Sequence, residues 1–241
     1  MALGRLGRST RILRAFVAAP LLAIAACSPS DTPRADAGAR SAVAPPAHTK
    51  PEPPGATARI VFLGDSLTAG LGLPREHAVP SLIQERLHAE GLRFEVVNAG
   101  VSGDTSAGGL SRLDWSLDGD VAVLVVELGA NDGLRGLPVG QLKRNLSEII
   151  TRARQRDITV ILTGMEAPPN YGPAYTAEFR QVFRDLAAEH EVVFVPFFLE
   201  GVAGIASLNN ADGIHPNAAG AKIVAQHLWG VLEPLLEKHD R

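Results

Sequence analysis

Residues 121–128 read VAVLVVEL, an almost unbroken apolar run of strand length. Such a run is typical of a strand that is covered on both faces of a parallel sheet. Shorter runs rich in β-branched residues lie on either side of it, at residues 59–63, 94–97, 159–163 and 192–196. We predict a strand at each of these places.

The segments between the runs carry apolar residues at helical spacing. Leu142, Leu146 and Ile149 show it most clearly, and a last segment of this kind runs from residue 218 to about residue 236. Strands that alternate with helices predict an α/β fold with a parallel sheet. In such a fold the loops at the carboxyl ends of the strands form the functional site.

Four short motifs fall next to these predicted elements. Three of them follow the first three strands, and the fourth precedes the last helix: Gly64-Asp-Ser-Leu67, Ser102-Gly103-Asp104, Gly129-Ala-Asn-Asp132 and Asp212-Gly-Ile-His215. An open α/β sheet gathers such loops at one edge, so residues that are far apart in sequence are expected to meet there.

The residue types in these motifs suit acyl transfer. Ser66 is a nucleophile once a base takes its proton, and we predict His215 as that base, oriented by Asp212. The backbone N–H groups of Ser66 and Gly103 and the side-chain amide of Asn131 could stabilise the oxyanion of the reaction.

Each motif by itself also fits a structural interpretation, as a capped turn or a surface loop. Their joint order at the strand ends favours the catalytic interpretation. The strained Gly-x-Ser-x-Gly turn of the α/β-hydrolases is not indicated, because position 68 is Thr.

With these motifs in place, the chain resembles the SGNH hydrolase family, also called GDSL hydrolases, from about residue 60 to about residue 236. The four blocks match at Ser66, Gly103, Asn131 and His215. Longer stretches resemble the bacterial thioesterase I, lysophospholipase L1 and arylesterase branch: Gly64-Asp-Ser-Leu-Thr-Ala-Gly70, Glu127-Leu-Gly-Ala-Asn-Asp-Gly-Leu-Arg-Gly136 and Asp212-Gly-Ile-His-Pro-Asn217.

The resemblance implies a three-layer, flavodoxin-like fold with a five-stranded parallel sheet, and neither a metal nor an organic cofactor. It also implies that residues 134–138 form a mobile loop beside the acyl groove, with Leu134 and Pro138 as substrate contacts. The segment Gly164-Met-Glu-Ala-Pro168 looks more like the arylesterases and brings Glu166 near the expected substrate entrance.

The amino-terminal residues predict export. Arginines precede an apolar run of about a dozen residues, which ends in Ile24-Ala-Ala-Cys27. This tetrapeptide resembles a bacterial lipobox, and Cys27 is the only cysteine of the chain. We predict a lipoprotein signal peptide over residues 1–27 with lipidation at Cys27; an ordinary cleavable signal and an uncleaved anchor are the alternatives.

Residues 28–58 are rich in Pro and Ala and contain no Leu, Ile or aromatic residue. Such a stretch cannot bury enough apolar surface to offset its ordering entropy, so we predict a disordered tether followed by a hydrolase domain over residues 59–241. The expected location is the bacterial cell envelope, with the protein exported, lipid-anchored to a membrane and facing the periplasm.

Charge and composition limit the partners. The chain has a net charge of −3 with 46% hydrophobic and 20% charged residues. We see no basic stripe, so nucleic-acid binding is not expected. No His/Cys cluster has metal-ligand spacing. We expect a monomer that acts on small acyl esters, thioesters or lysophospholipids.

The remaining polar and aromatic residues receive structural predictions. Asp65, Asp104 and Asp132 are expected to hold their turns, and Glu127 to make structural hydrogen bonds. Five histidines belong to no partner pattern in the sequence and are expected at the surface, and both tryptophans are expected in packing: His77, His88, His190, His227, His239, Trp115 and Trp229.

These observations predict an acyl hydrolase that works through an acyl-enzyme at Ser66. Leu67, Leu71, Leu134 and Leu137 suggest an apolar groove for medium acyl chains or aryl groups. Two alternatives stay open: a carbohydrate O-deacetylase on the same fold, and a catalytically silent binding module at the cell surface.

Overall fold

The structure, a computed structural model, describes residues 57–239, with side chains through residue 237. The predicted signal peptide, the lipidation site Cys27 and the tether up to residue 56 lie outside the described residues. Ala58, which we assigned to the tether, is the first residue of the first strand. No helix within residues 57–239 is both long enough and apolar enough to cross a membrane.

The centre of the fold is one sheet in which every neighbouring pair of strands is parallel. Its spatial order is β2-β1-β3-β4-β5, the flavodoxin-like order, so the predicted five-stranded parallel sheet is confirmed. The strands are β1 (Ala58–Gly64), β2 (Phe94–Gly100), β3 (Val121–Glu127), β4 (Thr159–Thr163) and β5 (Val193–Val195).

Helices fill the connections between the strands. They are α1 (Ser66–Ala69), α2 (Val79–Ala89), α3 (Ser106–Ser111), α4 (Leu113–Ser116), α5 (Ala130–Leu134), α6 (Val139–Arg154), α7 (Pro173–Glu189) and α8 (Ala218–His239). Three short 3₁₀ turns lie at Arg75–His77, Pro169–Tyr171 and Ala206–Leu208.

The chain order of the strands determines which face of the sheet each helix covers. From β1 the chain crosses to β2 on one side, whereas β3, β4 and β5 follow one another toward the other side. Right-handed crossovers in opposite directions place their helices on opposite faces. Accordingly α2 packs against α8, while α6 packs against both α3 and α7. The result is three layers.

The strongest sequence signal corresponds to the most buried strand pair. Side chains from Val123 to Val126 on β3 and from Ile60 to Leu63 on β1 are at most 1% exposed. Strand β2 is longer than its apolar run predicted, because its end pairs with β1 as far as Gly64 and Gly100. This pairing brings the residues after β1 and β2 side by side.

The amino-terminal edge of the sheet is built from three tight helix-to-strand turns. After α2, α6 and α7 the chain turns through a residue with positive φ, and the next N–H bonds to a carbonyl five residues back, a common helix ending. The turning residues are Gly91 (φ 73°), Asp157 (φ 59°) and Glu191 (φ 49°). The longer connections therefore lie at the opposite, carboxyl edge.

Candidate active site

Ser66 is the first residue of α1 and lies just beyond the end of β1. The Asp65 carboxylate caps this helix, since its Oδ1 accepts the N–H of Leu67 at 3.0 Å. Such a cap fixes the first helical turn and therefore the direction of the Ser66 side chain. A Cβ atom at Gly64 would lie 2.0 Å from the hydroxyl oxygen of Thr68, so only glycine allows β1 to pass this close to α1.

Asp212 and His215 lie on one short loop between β5 and α8. A backbone bridge between Asn209 and Pro216 closes the loop. Inside it, Asp212 Oδ1 accepts the N–H groups of Ile214 at 2.9 Å and His215 at 3.0 Å. The loop backbone thus positions the carboxylate, and the carboxylate in turn fixes the loop.

The structure brings together the three residues predicted as nucleophile, base and orienting acid. His215 Nε2 lies 2.9 Å from Ser66 Oγ, and His215 Nδ1 lies 2.8 Å from Asp212 Oδ2. The hydrogen-bonded chain joins the connection after β1 to the connection before α8, across 149 positions of sequence.

The direction of the hydrogen bonds follows from the charge of Asp212. The N–H of His215, the N–H of Ile214 and the His215 ring together lower the pKa of this carboxyl to about 2, from 3.8. At neutral pH the carboxylate therefore only accepts. In a neutral imidazole the hydrogen must then be on Nδ1, which leaves Nε2 free to accept the hydrogen of the Ser66 hydroxyl.

Asn131 is joined to the serine through Asp65. It lies in the first turn of α5, and its Nδ2 donates to Asp65 Oδ2 at 3.0 Å. The two oxygens of Asp65 thus hold the helix that starts with Ser66 and the amide of Asn131. An amide nitrogen has two hydrogens, so the second N–H of Asn131 stays available to another acceptor.

A second carboxyl, Glu127, lies fully buried beneath Asp65. Its Oε2 accepts the hydroxyl of Thr68 at 2.8 Å and the backbone N–H of Asp65 at 3.3 Å, which confirms the predicted structural role. Burial first, and the charge of Asp65 second, raise the pKa of Glu127 well above its ordinary value. Burial also raises the pKa of Asp65 to about 6. At neutral pH we therefore assign the ionised carboxylate to Asp65 and the retained proton to Glu127.

Gly103 lies in the connection from β2 to α3, with a positive φ of 88°. Arg135, which follows α5, binds this connection: its Nη2 donates to the Gly103 carbonyl at 2.8 Å. Asp132 links α5 to the same connection. Its buried carboxylate accepts two hydrogen bonds from Ser106, one from the backbone N–H at 2.7 Å and one from the hydroxyl at 2.6 Å. Asp132 therefore joins two separate connections, whereas we expected it to hold its own turn.

Arg112 is a positioning residue that the sequence did not reveal. Its guanidinium donates to the carbonyls of Gly64 at 2.8 Å and Ala99 at 2.6 Å, and it forms an ion pair with Asp104 at 2.7 Å. It thus links the ends of β1 and β2 to the Gly103 connection. Asp104 likewise bonds to Arg112 rather than within its own turn. A single arginine between two short helices has no sequence pattern that would mark it.

Exposed apolar side chains surround the connections at the carboxyl edge. Seven large apolar residues are exposed within residues 57–239, and six of them follow the ends of strands: Leu71, Val101, Leu134, Tyr171, Ile205 and Ile214. We call these six residues the apolar rim. Exposed large apolar residues on several connections of one edge make that edge a candidate surface for apolar ligands or partners.

The space beside Ser66 is small. A cavity of about 10 Å³ is lined by Ser66, His215, Leu71 and their neighbours, roughly the volume that one water molecule needs. An acyl chain would therefore have to lie on the open surface. Of the leucines predicted to form a groove, Leu71 and Leu134 are exposed, whereas Leu67 is 6% exposed, packs in the core and lines this small cavity.

Residues 134–138, which the resemblance implies to be mobile, are held by two tyrosines. The Tyr171 hydroxyl donates to the Leu134 carbonyl at 3.1 Å, and the Tyr175 hydroxyl to the Leu137 carbonyl at 2.9 Å. The side chains of Leu134 and Pro138 are exposed. Glu166, expected near the substrate entrance, pairs with Arg180 of α7 at 2.9 Å, where both side chains are about half exposed.

The prediction that Trp115 serves in packing is wrong. Trp115 is 79% exposed, because the short helix α4 buries Leu113 and Ser116 on its other side. Two of the histidines have partners: His190 Nε2 lies 2.8 Å from Ser147 Oγ, and His88 bonds to Gln84. Within residues 57–239, no group of three or more His, Cys, Asp or Glu side chains is arranged to hold a metal ion.

The sequence and the fold are similar to those of known proteins. The model of the GDSL-like lipase/acylhydrolase family matches residues 62–223. The esterase TesA of Pseudomonas aeruginosa is 46% identical over 178 residues, which cover 73% of this chain and 89% of that protein. The thioesterase 1/protease 1/lysophospholipase L1 of Escherichia coli K12 is 36% identical over 182 residues, which cover 75% and 86% of the two chains.

A solved structure shares the fold. The psychrotrophic esterase EstA from Pseudoalteromonas sp., inhibited by monoethylphosphonate, is 33% identical to this chain and superimposes with a TM-score of 0.71. The match covers 74% of this chain and 98% of that one.

The buried pair predicts how stability depends on pH. The native protein keeps a proton on Glu127 that the unfolded chain releases, so the free energy of unfolding should fall as pH rises from about 4.5 through 6 and above. Glu127→Gln removes this proton exchange and should flatten the decline of the free energy of unfolding with pH. Urea unfolding at several pH values measures the effect. The exposed Glu148→Gln serves as the control, and identical profiles for Glu127→Gln and the unmodified protein would contradict the assignment.

Proposed function

Because the chain belongs to the GDSL-like lipase/acylhydrolase family, we propose that it is a serine hydrolase of acyl esters and thioesters. The observation that carries the proposal is the hydrogen-bonded chain from Ser66 through His215 to Asp212. The names of the relatives, an esterase and a thioesterase 1/protease 1/lysophospholipase L1, support this class of substrate.

The first half of the proposed reaction forms an acyl-enzyme. The Ser66 hydroxyl oxygen attacks the acyl carbon while its proton passes to His215 Nε2. Asp212 stays ionised and stabilises the imidazolium that results, which its low pKa favours. The tetrahedral intermediate then loses the alcohol or thiol, and His215 returns the proton to this leaving group.

The developing oxyanion needs donors that are already in place. We propose the N–H groups of Ser66 and Gly103 and the second N–H of Asn131 for this role. Asp65 holds the other N–H of Asn131 at 3.0 Å, so the amide has a fixed orientation before substrate arrives. A neutral amide offers this donor without placing a charged side chain at the site.

The second half releases the acid. A water molecule gives a proton to His215 Nε2 as its oxygen attacks the acyl carbon, and the same oxyanion donors act again. Cleavage of the acyl–oxygen bond to Ser66 restores the hydroxyl with the proton from His215. The products are a carboxylic acid and the enzyme with an unacylated Ser66.

The acyl part of the substrate should be apolar and of medium length. Support comes from the apolar rim, which places Leu71, Leu134 and Ile214 on connections that also carry Ser66, Asn131 and His215. The small cavity beside Ser66 argues for a chain that lies along this surface. We propose Leu134 and Pro138 as contacts of that chain.

We also propose that the protein is an exported lipoprotein of a bacterial cell envelope, tethered to a membrane and facing the periplasm. The support is the sequence of residues 1–58: a basic start, an apolar segment, the lipobox-like Ile24-Ala-Ala-Cys27 and a Pro/Ala-rich stretch. A surface tether of this kind suits an enzyme whose substrates are lipid-like.

Hydrolysis of a p-nitrophenyl ester series, together with the matched thioesters, tests the mechanism. We expect Ser66→Ala to lower kcat by about 10⁴-fold or more, because the nucleophile is lost while binding is kept. The unmodified protein should prefer medium acyl chains. The exposed Ser111→Ala is the control and should keep full activity. Undiminished turnover in Ser66→Ala would exclude this serine, and an optimum at acetyl with activity on acetylated polysaccharide would favour the O-deacetylase instead.

The oxyanion role of Asn131 makes a separate prediction. Asn131→Ala should lower kcat by about 10²–10³-fold with little change in KM, because the lost hydrogen bond strengthens in the transition state. Steady-state kinetics on one ester measures the separate effects on kcat and KM. Asn170→Ala removes an exposed amide after β4 and should leave both constants unchanged. A rise in KM at constant kcat would assign Asn131 to substrate binding.

Lipidation is tested by growth with an alkyne-labelled fatty acid. The unmodified chain, expressed in a bacterial host, should carry the label and sediment with the membranes. Cys27→Ser should lose both properties because no thiol remains, whereas Ser30→Ala should keep both. A labelled Cys27→Ser protein would refute lipidation at this residue.

A further inference from the structure

A second cavity lies between α2 and α8, apart from Ser66. Its volume is about 200 Å³. Ile83 and Ala225 line this cavity, and they lie four residues after Val79 and Ala221, which line the small cavity beside Ser66. The two cavities are therefore lined by residues that lie about one helical turn, roughly 6 Å, apart along each helix.

The walls of this cavity are cationic. Arg86 and Lys222 both line it, together with the amide of Gln226, and none of its lining residues is acidic. Arg86 Nε pairs with Glu90 on its own helix at 3.1 Å, but both side chains are about half exposed, so this pair holds the guanidinium only weakly. Lys222 forms no ion pair within residues 57–239.

The inner wall is formed by Trp229, whose side chain is 5% exposed. The Arg86 guanidinium lies over the indole, 5.2 Å from the ring centroid. The indole N–H is buried and has no acceptor in the described part of the chain. A buried donor without an acceptor is costly, and here it belongs to a residue that lines a cavity with two cationic side chains.

We propose that this cavity binds the carboxylate of an organic acid with an apolar chain. The carboxylate would lie between Arg86 and Lys222, and its first carbons would pack on Leu82, Ile83 and the indole. Pockets that enclose a whole ligand measure about 300–1,000 Å³, so this smaller space encloses the head group and the start of the chain.

The choice of an acyl acid among organic anions rests on the proposed function, since this is the product that Ser66 would release. The cationic cavity itself does not depend on it. A site on the two helices that also line the cavity beside Ser66 gives the product a place to bind outside the reacting centre. When this cavity is occupied, a fraction of the acid molecules would stay bound to the enzyme after release from Ser66.

Trp229 offers a direct readout. The chain contains two tryptophans, and the other, Trp115, is exposed on α4. In the double variant Trp115→Phe, Ser66→Ala, all tryptophan fluorescence comes from Trp229, and no turnover interferes. Titration with decanoate below its micelle concentration should change this fluorescence in a saturable way. Decanol, which lacks the charge, should not.

The variant Lys222→Gln, added to the same background, identifies the site. It should weaken decanoate binding by about tenfold, the usual effect of one lost charged contact. The control Lys143→Gln removes a lysine of α6 on the other face of the sheet and should leave the affinity unchanged. No saturable change, an equal response to decanol, or an unchanged affinity in Lys222→Gln would overturn the proposal.

Two further outcomes are informative. One distinguishes a free acid from a lipid head group as the ligand, and the other distinguishes failure of the cavity proposal from failure of the proposed hydrolase function. A response to phosphatidylglycerol vesicles without a response to decanoate would make a bilayer head group the ligand and would overturn the proposal for a free acid. Saturable decanoate binding in a protein whose Ser66 proves inactive would keep the cavity while the hydrolase function failed.

Discussion

The Asp65 carboxylate holds the candidate site together. One oxygen caps the helix that begins with Ser66, and the other accepts the amide of Asn131. These two residues follow different strands, β1 and β3, which lie side by side at the centre of the sheet. The proposed nucleophile and the proposed oxyanion donor are thus fixed relative to each other by one buried side chain, and Glu127 beneath it supports the backbone of Asp65.

The same arrangement recurs around the carboxyl edge. Arg112 joins the ends of β1 and β2, and Asp132 joins the connection after β3 to the start of α3. In each case a charged side chain bonds to backbone groups that a loop cannot satisfy by itself. Connections that would be independent in a simple sheet become one polar network, which suits a reaction whose donors must be in place before the charge develops.

The sequence predicted the parts of this structure that depend on local pattern. Buried strands such as β3 carry continuous apolar runs, and the residues at their ends follow from the parallel topology. The end of β2 was not predicted, because Asn98-Ala-Gly100 has the composition of a turn and only its pairing with β1 makes it a strand.

Other features depend on contacts that no local pattern encodes. The bond from Arg112 to Gly64 spans 48 positions. The exposure of Trp115 depends on which side of a four-residue helix faces inward, and so short a helix has too little periodicity to show this. Gly91 turns the chain with a positive φ after α2, and Asp157 and Glu191 do the same after α6 and α7. The ends of α6 and α7 therefore lack the glycine that marks such a turn in a sequence.

The placement of Asp212 and His215 on one loop has a consequence for inactivation by heat. The Asn209–Pro216 bridge and the bonds inside the loop hold both residues, and none of these bonds involves a strand of the sheet. If this loop opens, the proposed base and the proposed orienting acid leave Ser66 together, while strands β1 to β5 keep their pairing. Loss of activity and loss of the fold are then two separate events, and the first is reversible as long as the sheet survives.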